Sequence, residues 1–452
     1  MRRDRRVWQR DINVYGQPYW RRTPPASGKA FVVTTINGSE FNLVEAAADA
    51  TTGYGLGGRA LPGWWLPQLK ALSDASFGLK YAWLLAQIPA TFTGYAKVKV
   101  YRDEIFLESL SLLLQMESGK HLCGFTHVTL LGESGVDAGG IQREWYTELT
   151  VAIFDETRGL FSRANKDSYV INPNSAIAYG EEHLLCFQAV GRLLGRAIVD
   201  GQVLPCNLSV PLFKAILGTP LSMEDVRHID EATYNSLVYL QDGDVTDLAL
   251  DFSATLPSSL AVVDLVPDGR HIPVTNANKR AYVDCMVRYL LFDRVAPQLT
   301  SLLKGIYEVL PQELLMPFDY KELELVLCGV SEVDVADWKA STSVSTTLKR
   351  SEALTWFWDV VERDMSADDR SKLLQFTTGS SRVPVQGFKG LTSYDGTLCP
   401  FSLQAVPYTL GAFPKVHSCF NRLDLPLYPT RALLKEALFA LIEIETMAFT
   451  MV

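Results

Sequence analysis

The chain has 452 residues, 48% of them hydrophobic and 21% charged, and its formal net charge is −9. That composition fits a soluble globular protein with large buried cores, spread over about three domains by length. The negative balance argues against a nucleic-acid surface, which would gather Lys and Arg on one face.

VWQRDINVYGQPYW (7–20) predicts two short strands joined by a turn at Asn13–Gly16. TPPASGK (23–29) is a loop by composition, and LVEAAADATTGYGLGG (43–58) predicts a short helix fragment followed by a glycine-rich linker. From about residue 70 the pattern turns helical. IFLESLSLLLQM (105–116) predicts a helix, CGFTHVTLLGE (123–133) a strand, and EEHLLCFQAVGRLLGRAIV (181–199) a long helix with a broad apolar face. Residues 205–275 mix short helices and acidic turns with a predicted hairpin, LVPDGRHIPVT (265–275), turning at Asp268-Gly269. Residues 284–310 are helical, and YKELELVLCG (320–329) is a helix stopped by a glycine. VSEVDVADW (330–338) restarts the pattern, which places a hinge at Gly329–Ser331 and a last domain beyond it. The basic start MRRDRRVWQR lacks the apolar run of a signal peptide, and no stretch approaches the roughly 18 apolar residues of a membrane span.

Seven cysteines, with no Cys-x-x-Cys pair, do not read as a disulfide framework or a zinc site and point to a reducing, cytoplasmic setting. GESGVDAGGIQREWYTEL (132–149) fails as a Gly-x-Ser-x-Gly elbow because Val136 takes the second glycine position, and fails as a phosphate loop because no Lys-Ser/Thr follows. Its structural reading is a helix capped by Asp137, entered through Gly139-Gly140, with Ile141, Trp145 and Leu149 as one apolar stripe. FPKVHSCFNRLDLPLY (413–428) sets Cys419 after His417 and Ser418, with Asn421 and Asp424 close by and a proline-punctuated turn behind. A lone cysteine is usually a small buried hydrophobe, whereas a thiol on a polar surface turn is a candidate nucleophile. The residues alone leave both readings open.

Nine stretches, in order, then carry a resemblance: VYRDEIFLES (100–109), GESGVDAGGIQREW (132–145), GLF (159–161), INPNS (171–175), FQAVGRLLGRAI (187–198), IPVTNANKRAYV (272–283), ELELVLCG (322–329), LLQFTTGSSRVPVQGF (373–388) and HSCFNRLDLPLY (417–428). Over about residues 70–452 the chain resembles the HECT-type ubiquitin-protein ligases and is most similar to their WW-containing branch. The resemblance implies an α+β fold: a bilobal catalytic domain with a large, mostly helical N-lobe at 70–328, a hinge at 329–331 around Gly329, and a smaller α/β C-lobe at 332–452. It implies that Cys419 takes ubiquitin from a conjugating enzyme as a thioester and passes it to a lysine of a protein substrate, with no metal or other cofactor. It places conjugating-enzyme contacts in residues 205–285, at Ser236, Leu237, Leu240 and Tyr282. It gives Phe449 a supporting role in transfer to lysine, Asp424 a role in orienting or deprotonating that lysine, and His417 a role in positioning the thioester loop. Phe413, Val416 and Ser418 stand where relatives more often carry leucine, alanine and threonine.

Ahead of this region, Trp8, Arg10, Gly16, Tyr19 and Trp20 keep the spacing of the first two strands of a WW domain. Residues 1–35 are therefore expected to form a degenerate WW-like module, with Tyr19 and Phe31 facing a proline-rich peptide, and residues 36–69 a linker. Two other readings remain. A catalytically silent adapter of the same fold would hold conjugating enzyme or ubiquitin without transfer. A cysteine hydrolase would need His183 or His271 beside Cys419, and no hydrolase motif surrounds either.

Overall fold

A computed structural model describes residues 8–12, 18–22, 29–36, 40–46, 65–92, 94–116, 124–132, 140–165, 168–255, 262–330, 332–392 and 398–448. The expected Asn13–Gly16 turn, the Asp137 cap, Gly139 and Phe449 lie outside the described residues. The chain divides into two compact units of mixed helix and strand. One comprises Met1–Thr91, Phe154–Gly195 and Asn207–Glu324, the other Phe92–Ile153, Arg196–Cys206 and Leu325–Val452.

In the first unit, Trp8–Ile12 and Pro18–Arg22 pair antiparallel with Arg10 opposite Trp20. The Arg10 guanidinium lies 4.5 Å from the Trp20 ring centroid. It also donates to the carbonyls of Leu217 (2.9 Å) and Met316 (3.4 Å), which fastens the two strands to the unit. Burial pushes the pKa of Arg10 down to about 10, as desolvation disfavours the charged form. The next strand, Ala30–Ile36, belongs to a different sheet: it pairs with Glu40–Glu45 on one side and with Leu221–Ser222 on the other. This corrects the expected peptide groove. Phe31 is buried within that second sheet while Tyr19 sits in the first, because AFVVTTI is apolar enough to be drawn into the core. It also corrects the helix expected from Leu43: residues 43–45 are strand, with Leu43 in the core.

The centre of this unit is a helix crossing. His183–Val199, through Gly195, packs on Ala296–Val309 at two glycines. A Cβ on Gly191 would stand 2.1 Å from the Leu302 carbonyl oxygen, and one on Gly305 would stand 2.1 Å from that of Gln188. The backbones touch there, and Glu308 fixes the register by accepting from Gln188 (2.9 Å) and Arg192 (2.7 Å). The helical stretch expected over 284–310 comes in two helices. Lys279–Leu291 ends, a 3-10 turn Asp293–Val295 intervenes, and Ala296–Val309 starts anew with proline in its first turn, since proline has no N–H to continue a preceding helix. The hairpin expected at 265–275 is absent as well. Asp268 does adopt the left-handed conformation of a turn (φ 61), but it opens a 3-10 turn, Gly269–His271. Gly269 backs onto the Phe252 carbonyl, and the strands that pair are Ser253–Thr255 and Val262–Asp264.

In the second unit, Tyr95–Val100 and Phe125–Leu130 pair in parallel, connected through the helix Ile105–Gln115, the crossover a parallel pair requires. The helix Gly140–Phe154 buries Trp145 and Leu149 as its stripe predicts. The helix Tyr320–Cys328 ends at Gly329, whose φ of 62 favours glycine and where a Cβ would stand 2.5 Å from the Val203 side chain. Beyond it, a four-stranded sheet runs in the order Ser343–Val344, Ser402–Val406, Arg422–Pro426, Lys415–His417, the first three parallel and the last antiparallel. Its core is aromatic. Trp338 stacks on Phe388 at 4.9 Å between centroids and meets Phe401 edge-on, over Leu423, Leu425 and Leu438.

The helix crossing yields a first prediction. Gly191→Ala or Gly305→Ala should destabilise the protein by about 1–3 kcal/mol, as overpacking does. The measurement is urea unfolding, and an unchanged midpoint would contradict the backbone contact.

Candidate active site

Lys415–His417 and Arg422–Pro426 pair with His417 opposite Arg422 and Lys415 opposite Asp424. The connection between them is one 3-10 turn, Ser418–Phe420, so Cys419 is the middle residue of a turn that links two neighbouring strands. The turn closes at Asn421, which is left-handed (φ 48, ψ 41) and whose amide donates to the Ser418 carbonyl. Asparagine is among the few residues that adopt this conformation readily.

Asn421 is wholly buried, and its side chain is held on both ends. Nδ2 donates to the carbonyls of Cys399 (2.8 Å) and Thr392 (3.0 Å). Oδ1 accepts from Nη1 of Arg143 at 2.9 Å. Arg143, on the helix Gly140–Phe154, also donates to the carbonyls of Thr378 (2.6 Å) and Thr392 (2.8 Å). One turn along the same helix, Thr147 donates to the Gly379 carbonyl at 3.0 Å. Sequence reasoning noted Asn421 only as a nearby polar group and Arg143 only as part of a structural helix. The signal was the i, i+4 spacing of Arg143 and Thr147 on the helix face opposite the apolar stripe.

On the paired strands, Asp424 lies between two partners. Its Oδ1 accepts from Nε of Arg422 at 2.6 Å and its Oδ2 meets Nε2 of His417 at 3.1 Å. The structure thus brings His417 and Asp424 together beside the Cys419 turn, with the carboxylate buried and the imidazole about half exposed. Of the four residues expected to meet a conjugating enzyme, Ser236 is exposed on the helix Glu231–Asp242, its hydroxyl donating to the Ala232 carbonyl. The other three are packed inside: Leu237 and Leu240 form the inner side of that helix, and the Tyr282 ring stacks edge-on against Phe252. The helix shows Val238 and Tyr239 outward instead.

Among the described residues no group of His, Cys, Asp and Glu could hold a metal ion, and no helix is long and apolar enough to cross a membrane. Among the described residues, several other thiols are occupied or muted. Cys206 and Cys328 are buried with their sulfurs 3.9 Å apart, and the Cys399 thiol donates to the Phe420 carbonyl. Burial, helped by Glu182, pushes Cys186 up to about 11. At pH 8 that shift lowers its thiolate fraction about 100-fold from that of an ordinary thiol. A brief iodoacetamide pulse at pH 8, read by peptide mass spectrometry, should leave Cys186 largely unlabelled, and its labelling should rise steeply toward pH 11.

The sequence signature of the HECT-domain (ubiquitin-transferase) family matches residues 147–452. The E3 ubiquitin-protein ligase TOM1-like of Neurospora crassa is 36% identical over 345 residues, covering 76% of this chain and 8% of that protein. The E3 ubiquitin-protein ligase Smurf1 of Drosophila melanogaster is 38% identical over 366 residues, 79% of this chain and 34% of its own length. The E3 ubiquitin-protein ligase TOM1 of Saccharomyces cerevisiae is 36% identical over 344 residues, 75% and 10% respectively. The chain therefore spans only 8% to 34% of the length of these relatives.

Proposed function

Since the chain belongs to the HECT-domain ubiquitin-transferase family, we propose that it accepts ubiquitin on Cys419 from a conjugating enzyme and passes it to a lysine of a protein substrate. The observation that carries this reading is a cysteine in the middle of a tight turn between paired strands, inside the matched region 147–452.

The Cys419 thiolate attacks the thioester carbonyl on the conjugating enzyme. A new S–C bond forms, the old one breaks, and the conjugating enzyme's cysteine leaves as a thiolate. Exchange of one thioester for another is nearly balanced in free energy, so a cysteine suits both arrival and departure. A deprotonated substrate lysine then attacks the Cys419 thioester. A C–N bond forms, the S–C bond breaks, and the nitrogen sheds its proton. Phe449 supports this second step, and the His417–Asp424 pair beside the turn helps to position it. The reaction calls on no metal or nucleotide.

The two transfers need Cys419 to meet two different partners. We assign that movement to a bilobal domain, 70–328 and 332–452, turning about Gly329–Ser331, where the left-handed glycine supports a change of direction, with the Arg143 contacts to Thr378, Thr392 and Asn421 made in the charging position and released as the lobe turns. The conjugating enzyme docks on residues 205–285. Ser236, Val238 and Tyr239 offer it the outer side of their helix, while Leu237, Leu240 and Tyr282 hold that helix in place. Recognition of proline-rich peptides through Tyr19 is no part of the proposal, because its expected companion Phe31 is buried in another sheet. Cysteine usage fits a reducing, intracellular compartment, and the cytoplasm is the setting proposed.

A single-turnover assay decides between this and a silent adapter. Labelled ubiquitin is passed from a loaded conjugating enzyme, and products are run with and without reductant. A reductant-sensitive adduct that disappears in Cys419→Ala is expected. Phe449→Ala should still charge but discharge to lysine about 10-fold or more slowly, the size of effect a misplaced acyl group gives. No adduct with any of a broad panel of conjugating enzymes would turn the assignment to the adapter.

A further inference from the structure

We propose that Arg143 is a positioning residue for the Cys419 turn and acts through Asn421; the inference rests on the reading of Cys419 as the thioester-forming residue. A turn of three residues has no core of its own, so its pose is inherited from its ends. One end is His417, fixed by strand pairing opposite Arg422. The other is Asn421, whose backbone is left-handed and whose carbonyl accepts from the Ser402 amide at 2.9 Å. Asparagine tolerates the left-handed conformation, so what sets the direction of this end is how its side chain is held. It is held by three side-chain hydrogen bonds, two to carbonyls and one from the Arg143 guanidinium.

Arg143 is the element of this set that arrives from outside the turn's own neighbourhood, 278 residues earlier in the chain. It ties three things together: the turn, through Asn421; the 392 segment, through the Thr392 carbonyl; and the C-terminal end of the helix Ala367–Thr378, through the Thr378 carbonyl. The last contact puts a cation at the negative end of a helix, where orphan carbonyls need donors. The planar fork of arginine makes these contacts at once, which a lysine ammonium on a flexible stem cannot. Thr392 is shared: its carbonyl accepts from both Arg143 and Asn421, so a shift of the guanidinium moves the asparagine amide with it. Without Arg143, Oδ1 of Asn421 loses a buried charged donor. The amide then turns to find another, and Cys419, two residues away, moves with the turn.

The test uses the full chain and the same charging reaction, followed as a rate at several concentrations of loaded conjugating enzyme. Arg143→Ala should slow charging of Cys419 about 10- to 100-fold, the cost of a small misplacement of a reacting group. The half-saturating concentration of conjugating enzyme should stay unchanged. Arg143→Lys, which keeps the charge and guards against a variant that does not fold, should recover part of the rate. Asn421→Gly keeps a left-handed backbone accessible while removing the side-chain contact. It should be slow too, and Arg143→Ala with Asn421→Gly should be no slower than the slower single variant, the mark of a shared interaction. Thr147→Val removes the neighbouring tie to Gly379 without touching Asn421. It should lower the melting temperature by about 2–4 °C and leave the charging rate intact.

Charging at the wild-type rate in Arg143→Ala overturns the inference, as do independent, multiplying effects in the double variant. Equal slowing in Thr147→Val reduces Arg143 to a structural contact and overturns it as well. Wild-type protein that forms no adduct overturns the transferase reading instead; a wild type that charges beside an equally fast Arg143→Ala overturns this inference alone.

Discussion

The geometry at Asn421 is the constraint on which the site depends. A residue with a side chain is held left-handed, inside the protein, at the foot of the turn that carries Cys419. Its amide has two donors and an acceptor to satisfy, and an amide buried without partners is costly. The cost is met by carbonyls at 392 and 399 and by a guanidinium from a distant helix. These partners are mostly backbone, which neither titrates nor swings. The thioester exchange proposed at Cys419 is close to thermoneutral and so needs position more than driving force, and a neutral, fully bonded amide supplies position.

The same economy appears in the first unit, where position is set by the absence of side chains. Gly191 and Gly305 let two helices meet backbone to backbone, and Glu308 with Gln188 and Arg192 allows only one register. The helix Ala296–Val309 is then a fixed reference. Tyr307 on it donates to the Ile216 carbonyl, and its hydroxyl is kept protonated by burial. Arg10 is received nearby, on the Leu217 and Met316 carbonyls. The two N-terminal strands are in this way part of the unit's structure, fastened by a buried cation between backbone carbonyls and an indole ring.

Local signals were legible in the sequence where local physics decides. The stripe Trp145 and Leu149, the stop at Gly329, the turn conformation of Asp268 and the turn around Cys419 all follow from spacing or from glycine and asparagine chemistry. The rest depended on competition among distant parts. Phe31 has the composition of a groove aromatic and of a core residue alike, and the edge strand Leu221–Ser222 settled which. Leu237, Leu240 and Tyr282 carry family positions, yet their packing is fixed by neighbours such as Phe252 that no spacing rule names. The spacing of Arg143 and Thr147 marks a polar helix face, but nothing local names its partner Asn421, 278 residues away.

The charged groups beside the turn complete the argument about protons. Oδ1 of Asp424 is committed to Arg422, and its Oδ2 faces Nε2 of His417. An ionised carboxylate only accepts hydrogen bonds, so the ring nitrogen facing it must be the one that carries hydrogen. In the neutral ring that leaves Nδ1 as the acceptor, the tautomer being set by the partner and not by the ring. Asp424 is therefore placed to hold His417 in one orientation and one tautomer. The nitrogen able to take a proton belongs to a half-exposed imidazole two residues before Cys419.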